Sequence, residues 1–171
     1  GTIHCFGKNA AEGRTVTQEA KPFDFGEMEA RARNTAKDLL NAANRKEGYA
    51  VVLTPQHLAL PAALAKVSEM DVAVVLPEVA VQAAIRDFTA CGLYGTRISV
   101  YAWDGQADLP YTTGMANLVV ACPGDGGTPA VPADEAVRIA RPLGGLLAVH
   151  GEGAQAWLAT AGVDAKPLEI A

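Results

Sequence analysis

The stretch "VVLTPQHLALPAALAKV", Val51 to Val67, decides the fold. A short aliphatic run of this kind, bounded by turn residues and followed by an Ala- and Leu-rich segment, reads as a buried strand running into a helix. Between the two stand Thr54, Pro55, Gln56, His57 and Leu58, without a glycine. A strand–turn–helix unit that cradles a phosphate or cofactor ordinarily carries glycines there, because they allow positive φ and close backbone approach. The unit is therefore plain, and its use is the open question.

Outward from this stretch the pattern repeats. The runs "YAVVL", "VAVVL", "RISVYA", "ANLVVA" and "GLLAVH" look buried on both faces, and helical segments are expected at 58–70, 79–91, 133–141 and 152–161. Strands alternating with helices predict a three-layer α/β/α domain with a mainly parallel central sheet. The expected order is 3-2-1-4-5, with the strand at about 50–53 between those at about 72–76 and 117–121. Ligands of such sheets bind beyond the carboxyl ends of the strands, so the places to inspect follow Leu53, Leu76, Ala102, Ala121 and His150.

Upstream, Thr2 to Phe6 alternate as a short strand would, and "KNAAEGRTVTQEAKP", residues 8 to 22, is a polar connector. Asp24 with Glu27 forms a capping-box pattern, Met28, Ala32, Thr35, Leu39, Leu40 and Ala43 follow at helical spacing, and Gly48 suits a C-terminal cap. The organisation expected is a strand and linker over 1–22 and an α/β domain over 23–171. "TIHCFG" and "AKPLEIA" are left as short edge strands, and Ile3 and Ile170 are expected on one side of the sheet.

The bulk numbers bound the function. The chain has 171 residues, half of them hydrophobic, enough for one core burying roughly 70% of the unfolded surface. Fourteen basic residues face 19 acidic ones, a net charge of -5, so nucleic acid is not an expected partner. The cations Arg31, Arg33, Lys37, Arg45 and Lys46 alternate with Glu27, Glu29, Asp38 and Glu47, as on a solvated helix face. Cys5, Cys91 and Cys122 stand far apart and predict buried free thiols rather than a zinc site or disulfide framework. No apolar run reaches the roughly 20 residues of a membrane span. The abrupt opening on "GTIHCFG" suggests a piece of something longer.

"GLYGTRISVYAWD", "DLPYTTGMANLVVA" and "ARPLGGLLAVHG" stand in an order and spacing that resemble class I S-adenosylmethionine-dependent methyltransferase domains. More narrowly, the chain resembles the methyltransferase-like domain inserted in pyrroloquinoline-quinone-type (PQQ) β-propeller proteins of Planctomycetes, with "IHCFG" matching a propeller strand that leads into the domain. The resemblance covers about residues 45 to 150. It implies that adjacent propeller repeats are the partner.

The resemblance also assigns site positions. The glycine turn of the family falls on Thr54 to Leu58, with Thr54, Gln56 and Leu58 where the family has glycines; a β-branched residue disfavours positive φ, and Leu58 adds side-chain bulk. Pro61 suits only the first helical turn. The acid that takes the ribose hydroxyls falls on Leu76, which cannot accept a hydrogen bond, although Glu78 stands two positions on. Asp104 matches the acid that meets the adenine amino group, with Trp103 beside it as a ring partner. Asn117 stands where many relatives have Asp. The loop "CPGDGGTP", Cys122 to Pro129, offers only Asp125, and no catalytic base is assigned. Arg141-Pro142 and Gly144-Gly145 shape a tight turn.

A site that works is thus expected to use Thr54, Gln56, His57, Glu78, Trp103 and Asp104. His57 and His150 both follow strands, but two histidines without a third ligand make no metal site. Three functions follow. The first is a degenerate methyltransferase-like domain, a pseudoenzyme without cofactor, acting as a structural or interaction module of a larger protein. The second is a working transferase with an unusual S-adenosylmethionine site, and the third a module binding another nucleotide or small metabolite. The first carries a steric expectation: Pro55, Leu58 and Leu76 fill the crevice above the first strand.

Overall fold

The computed structural model describes residues 27–106, 108–124 and 127–164. The expected strand over 1–7, the linker over 8–22, the Asp24 cap, Cys5, Asp125 and the terminal edge strands lie outside the described residues. The elements run α1 (Glu27–Ala43), β1 (Glu47–Leu53), α2 (Ala59–Val67), β2 (Glu69–Pro77), α3 (Glu78–Ala90), β3 (Ile98–Trp103), β4 (Leu118–Ala121), α4 (Ala133–Ile139), β5 (Leu146–Val149) and α5 (Ala154–Thr160). All four strand pairs are parallel, in the order β3-β2-β1-β4-β5. The expected sheet is the observed one, with β1 at its centre.

Buried strands with alternating side chains divide the core in two. Ala50, Val52, Val72, Val74 and Leu76 face a first cluster with Leu39, Leu40, Leu64 and Phe88 of α1, α2 and α3. Val51, Leu53, Ala73 and Val75 face a second cluster with Ala136 and Ile139 of α4 and Trp157 and Leu158 of α5. Helix α2 buries Ala59, Pro61, Ala62, Ala63, Leu64 and Ala65, and its four alanines let α1 and the sheet approach it from two sides.

Several boundaries differ from expectation for local reasons. Helix α2 ends at Val67 rather than 70: the Ser68 hydroxyl donates to Leu64 O at 2.6 Å and accepts from Met70 N–H, which turns the chain into β2. Gly48 is not a helix cap but lies within β1. Asn44, at φ 49, ends α1 instead, with Arg45 N–H bonded to Leu40 O and Asn44 N–H to Asn41 O, the paired bonds of a Schellman motif. Gly48, at φ 107, is required where it stands because a Cβ there would overlap the Asn117 carboxamide. That carboxamide oxygen accepts Tyr49 N–H at 3.1 Å, so Asn117 pins the start of β1 to the start of β4.

Among the described residues no helix connects β3 to β4. Residues 104–106 and 108–117 run irregularly, and an irregular segment leaves backbone groups that need partners. Buried Leu109 anchors the crossing in the second cluster. Glu135, 9% exposed, accepts Leu109 N–H at 2.6 Å and a two-point contact from Arg138 at 2.6 and 2.5 Å. Arg138 in turn donates to Tyr111 O at 2.8 Å and Leu109 O at 3.1 Å. One acid and one base on α4 thereby satisfy three backbone groups of the loop.

Candidate functional site

The carboxyl ends of the five strands form one edge of the sheet, and its centre is the turn after Leu53. Thr54 continues both ladders: its N–H donates to Val75 O at 2.9 Å, its hydroxyl to Cys122 O at 3.4 Å, and Cys122 N–H donates to Leu53 O at 3.1 Å. The backbone then turns through a left-handed conformation, φ 46 at Thr54. For an L-residue with a Cβ this costs about 1–2 kcal/mol. Thr54, a β-branched residue that disfavours a glycine's conformation, nonetheless adopts it, so the bend is kept.

Past the bend, Pro55 is buried, Gln56 and His57 are exposed, and Leu58 is half-buried against the first cluster. Leu58 is the N-cap of α2 without any side-chain cap bond. Pro61 is the third residue of the helix, where its missing N–H would have had no intrahelical partner. Of the turn's side chains, only Gln56 and His57 present polar groups to solvent.

At the end of β2, Leu76 is 3% exposed and belongs to the first cluster together with Leu58. Pro77 extends the strand one residue further and caps α3, whose first residue is the exposed Glu78. Pro77 pairs in register with Trp103, so Glu78 and Asp104 leave adjacent strands side by side. Trp103 is half-buried against the second cluster. Asp104 is exposed, and its Oδ1 accepts Gln106 N–H at 2.9 Å over Gly105 at φ 85, which is an Asx turn.

The loop after β4 folds back on the turn after β5. Gly124 N–H donates to Thr128 O at 2.9 Å. A Cβ at Gly153 would overlap the Thr128 methyl, and one at Gly151 would press on Gly127 O. Cys122 is half-buried, and burial pushes its thiol up to about 11, so it stays protonated and a poor nucleophile at neutral pH. Cys91, also half-buried rather than fully buried, is raised by burial too. His57 and His150 are both exposed, and they follow β1 and β5, strands that are separated in the sheet by β4. The sheet brings Thr54 to Cys122 and Glu78 beside Asp104. Among the described residues no group of three or more His, Cys, Asp or Glu could hold a metal ion, and no helix is long and apolar enough to cross a membrane.

A hollow of about 280 Å³ lies elsewhere, lined by Asn44, Arg45, Lys46, Glu47 and Glu69, at the amino ends of β1 and β2. Sequence reasoning also missed the Glu135–Arg138 pair; its only signal was an acid and a base three apart on a short helix, which reads as a surface pair.

No family model matches the chain, and no curated protein matches it. Solved structures do. A proposed S-adenosyl-L-methionine-dependent methyltransferase from Methanococcus maripaludis aligns with a TM-score of 0.60 at 20% identity, over 80% of this chain and 63% of its own. A SAM-dependent methyltransferase from Aquifex aeolicus aligns at 0.55 and 16%, over 70% and 65%. Geranyl diphosphate C-methyltransferase from Streptomyces coelicolor A3(2), in complex with Mg2+, geranyl diphosphate and S-adenosyl-L-homocysteine, aligns at 0.56 and 12%, over 75% and 51%. This chain thus spans between half and two thirds of each. At these identities the likeness is one of architecture: the chain has the Rossmann-like fold of class I S-adenosylmethionine-dependent methyltransferases.

Proposed function

We propose that this domain is a methyltransferase-like module that does not hold S-adenosylmethionine in the manner of the enzymes sharing its fold, and that it serves as a structural or interaction unit of a larger protein. The observation carrying this reading is Leu76. It stands where the resemblance places the ribose-binding acid, it is 3% exposed, and it is packed with Leu58 in the first core cluster. A leucine offers no acceptor to two hydroxyls, and a buried hydroxyl left unpaired costs about 1–3 kcal/mol. The parent context proposed from the "IHCFG" lead-in is a PQQ-type β-propeller chain, whose repeats would be the neighbours.

Calorimetric titration with S-adenosylmethionine and S-adenosylhomocysteine tests it. No heat is expected up to about 1 mM ligand; a Kd near 1 μM, about -8 kcal/mol, overturns the reading.

A second reading rests on a separate observation. Thr54 preserves the left-handed bend at the end of β1, and Glu78 and Asp104 leave neighbouring strands in register. These features favour a nucleotide or S-adenosylmethionine held by the backbone and by Glu78, with Trp103 against a ring. In that case Glu78→Gln and Asp104→Asn each weaken binding by about tenfold, the worth of one charge-assisted hydrogen bond.

A further inference from the structure

Residues 108–113 lie against the second cluster with few ties to the rest of the molecule. Asp108, Pro110, Thr112 and Thr113 are exposed, and only Leu109 and Tyr111 are withdrawn from solvent. Leu109 is buried in the cluster, and the Tyr111 ring meets the exposed Tyr101 ring edge-on at 5.4 Å. Among the described residues, no backbone group of this stretch bonds to the backbone of another element. Its three hydrogen bonds to other elements, at Leu109 N–H, Leu109 O and Tyr111 O, all end on the side chains of Glu135 or Arg138. The Tyr111 N–H to Leu109 O bond is internal, and backbone pairing with α4 resumes only at Gly114, whose N–H donates to Arg138 O at 2.9 Å. Gly114, at φ 70, turns the chain through a conformation that glycine takes without steric cost.

We infer that residues 108–113 form a strap, latched by Glu135 and Arg138, that opens as a unit while the five-stranded sheet stays folded. The free energy of a local opening is set by the contacts that the segment itself gives up, not by the stability of the whole domain. Here those contacts are one buried leucine, one edge-on ring pair and a latch of two side chains. The four strand pairings include no residue of the strap, so its departure leaves every ladder of the sheet intact.

The closed position also carries a defect that opening relieves. The Tyr111 hydroxyl is buried without a hydrogen-bond partner among the described residues. A buried donor left unpaired has lost its hydration without a compensating bond, and release of the strap returns it to water. What the opening uncovers is the Tyr101 ring and the part of the second cluster around Leu109. Tyr101 lies in the carboxyl half of β3, so the uncovered surface adjoins the edge at which Trp103 and Asp104 stand.

Native-state hydrogen exchange on the full chain reads the opening at the Leu109 amide, with the Val52 and Val74 amides of the central strands as reference. Corrected for intrinsic rates, Leu109 is expected to exchange at least about tenfold faster than Val52 and Val74. Its rate is expected to stay flat across low urea concentrations while theirs rise, because a small opening exposes little surface and global unfolding exposes much. Glu135→Gln is expected to speed Leu109 exchange by at least about tenfold and to leave it flat in urea. If that variant does not fold, the urea series on the native chain decides alone. Leu109 exchange that rises with urea in step with Val52 and Val74 overturns the inference, since the stretch then opens only when the whole domain unfolds. A Leu109 rate unchanged by Glu135→Gln overturns it as well, since the pair is then no latch.

Discussion

The two faces of the sheet are covered by different means. The first carries helices of 17, 9 and 13 residues, and the buried charged side chain among the described residues, Glu135, is not on it. The second carries two helices of seven residues and the irregular crossing between β3 and β4. A helix satisfies its own backbone, so it needs only an apolar stripe to pack. A crossing without regular structure must find partners for its N–H and C=O groups, and here one carboxylate and one guanidinium supply them. Hydrophobic packing holds the first face, and on the second a polar clamp is added to it. The two should fail differently.

The largest expected loss is on the first face. Phe88, fully buried on α3, packs among the β2 and β3 side chains, and Phe88→Ala is expected to lower the unfolding free energy by about 3–5 kcal/mol through lost transfer and the cavity left behind. Urea unfolding at several pH values measures it. The loss should be the same at pH 4 and pH 7, since no titrating group enters the contact. A loss below about 1.5 kcal/mol would mean that the first face can collapse around the gap.

On the second face the corresponding change is Glu135→Gln. The amide still accepts Leu109 N–H but no longer pairs with Arg138. Breaking a fully buried ion pair costs about 3–5 kcal/mol, and with the Arg138 side chain 30% exposed the expectation falls to about 2 kcal/mol. This loss depends on pH. The hydrogen bond from Arg138 holds the Glu135 carboxyl below its ordinary value, so its contribution is fully present above the unfolded carboxyl value of about 4.3 and is lost as pH falls through the depressed folded one. The gap between native and Glu135→Gln chains should therefore narrow in acid, whereas the Phe88→Ala gap stays flat. Two flat gaps would erase the distinction between the faces.

That distinction also governs what could be read from sequence. The sheet order was legible because β1, β2 and β4 are nearly continuous aliphatic runs and the helices between them keep a 3.6-residue period, as Leu39, Leu40, Ala84 and Phe88 show. The clamp was not, because Glu135 and Arg138 acquire their meaning only when Leu109 and Tyr111 arrive from 26 and 27 residues away. The candidate site falls between these cases. Leu76 follows from strand register alone, and its burial was anticipated. The bend at Thr54 was not, since a β-branched side chain argues locally against a left-handed backbone, and only the ladders to Val75 and Cys122 on either side compel it.

The smallest effect is expected at that bend, where β1 is tied to strands on both sides. Thr54→Gly removes about 1–2 kcal/mol of left-handed strain. Against this it frees the unfolded chain, worth about 1 kcal/mol, and deletes a hydroxyl bond whose 3.4 Å length marks it as weak. These contributions nearly cancel, so the expected change in unfolding free energy is less than about 1 kcal/mol in either direction, the smallest of the three. The N–H of residue 54 and its bond to Val75 O remain in the variant. If Thr54→Gly instead loses more than about 2 kcal/mol, the hydroxyl and methyl of Thr54, rather than the two backbone ladders, hold the end of β1 in place. The turn would then belong with the Glu135 clamp as a side-chain device, and the first face would no longer stand on packing and backbone pairing alone.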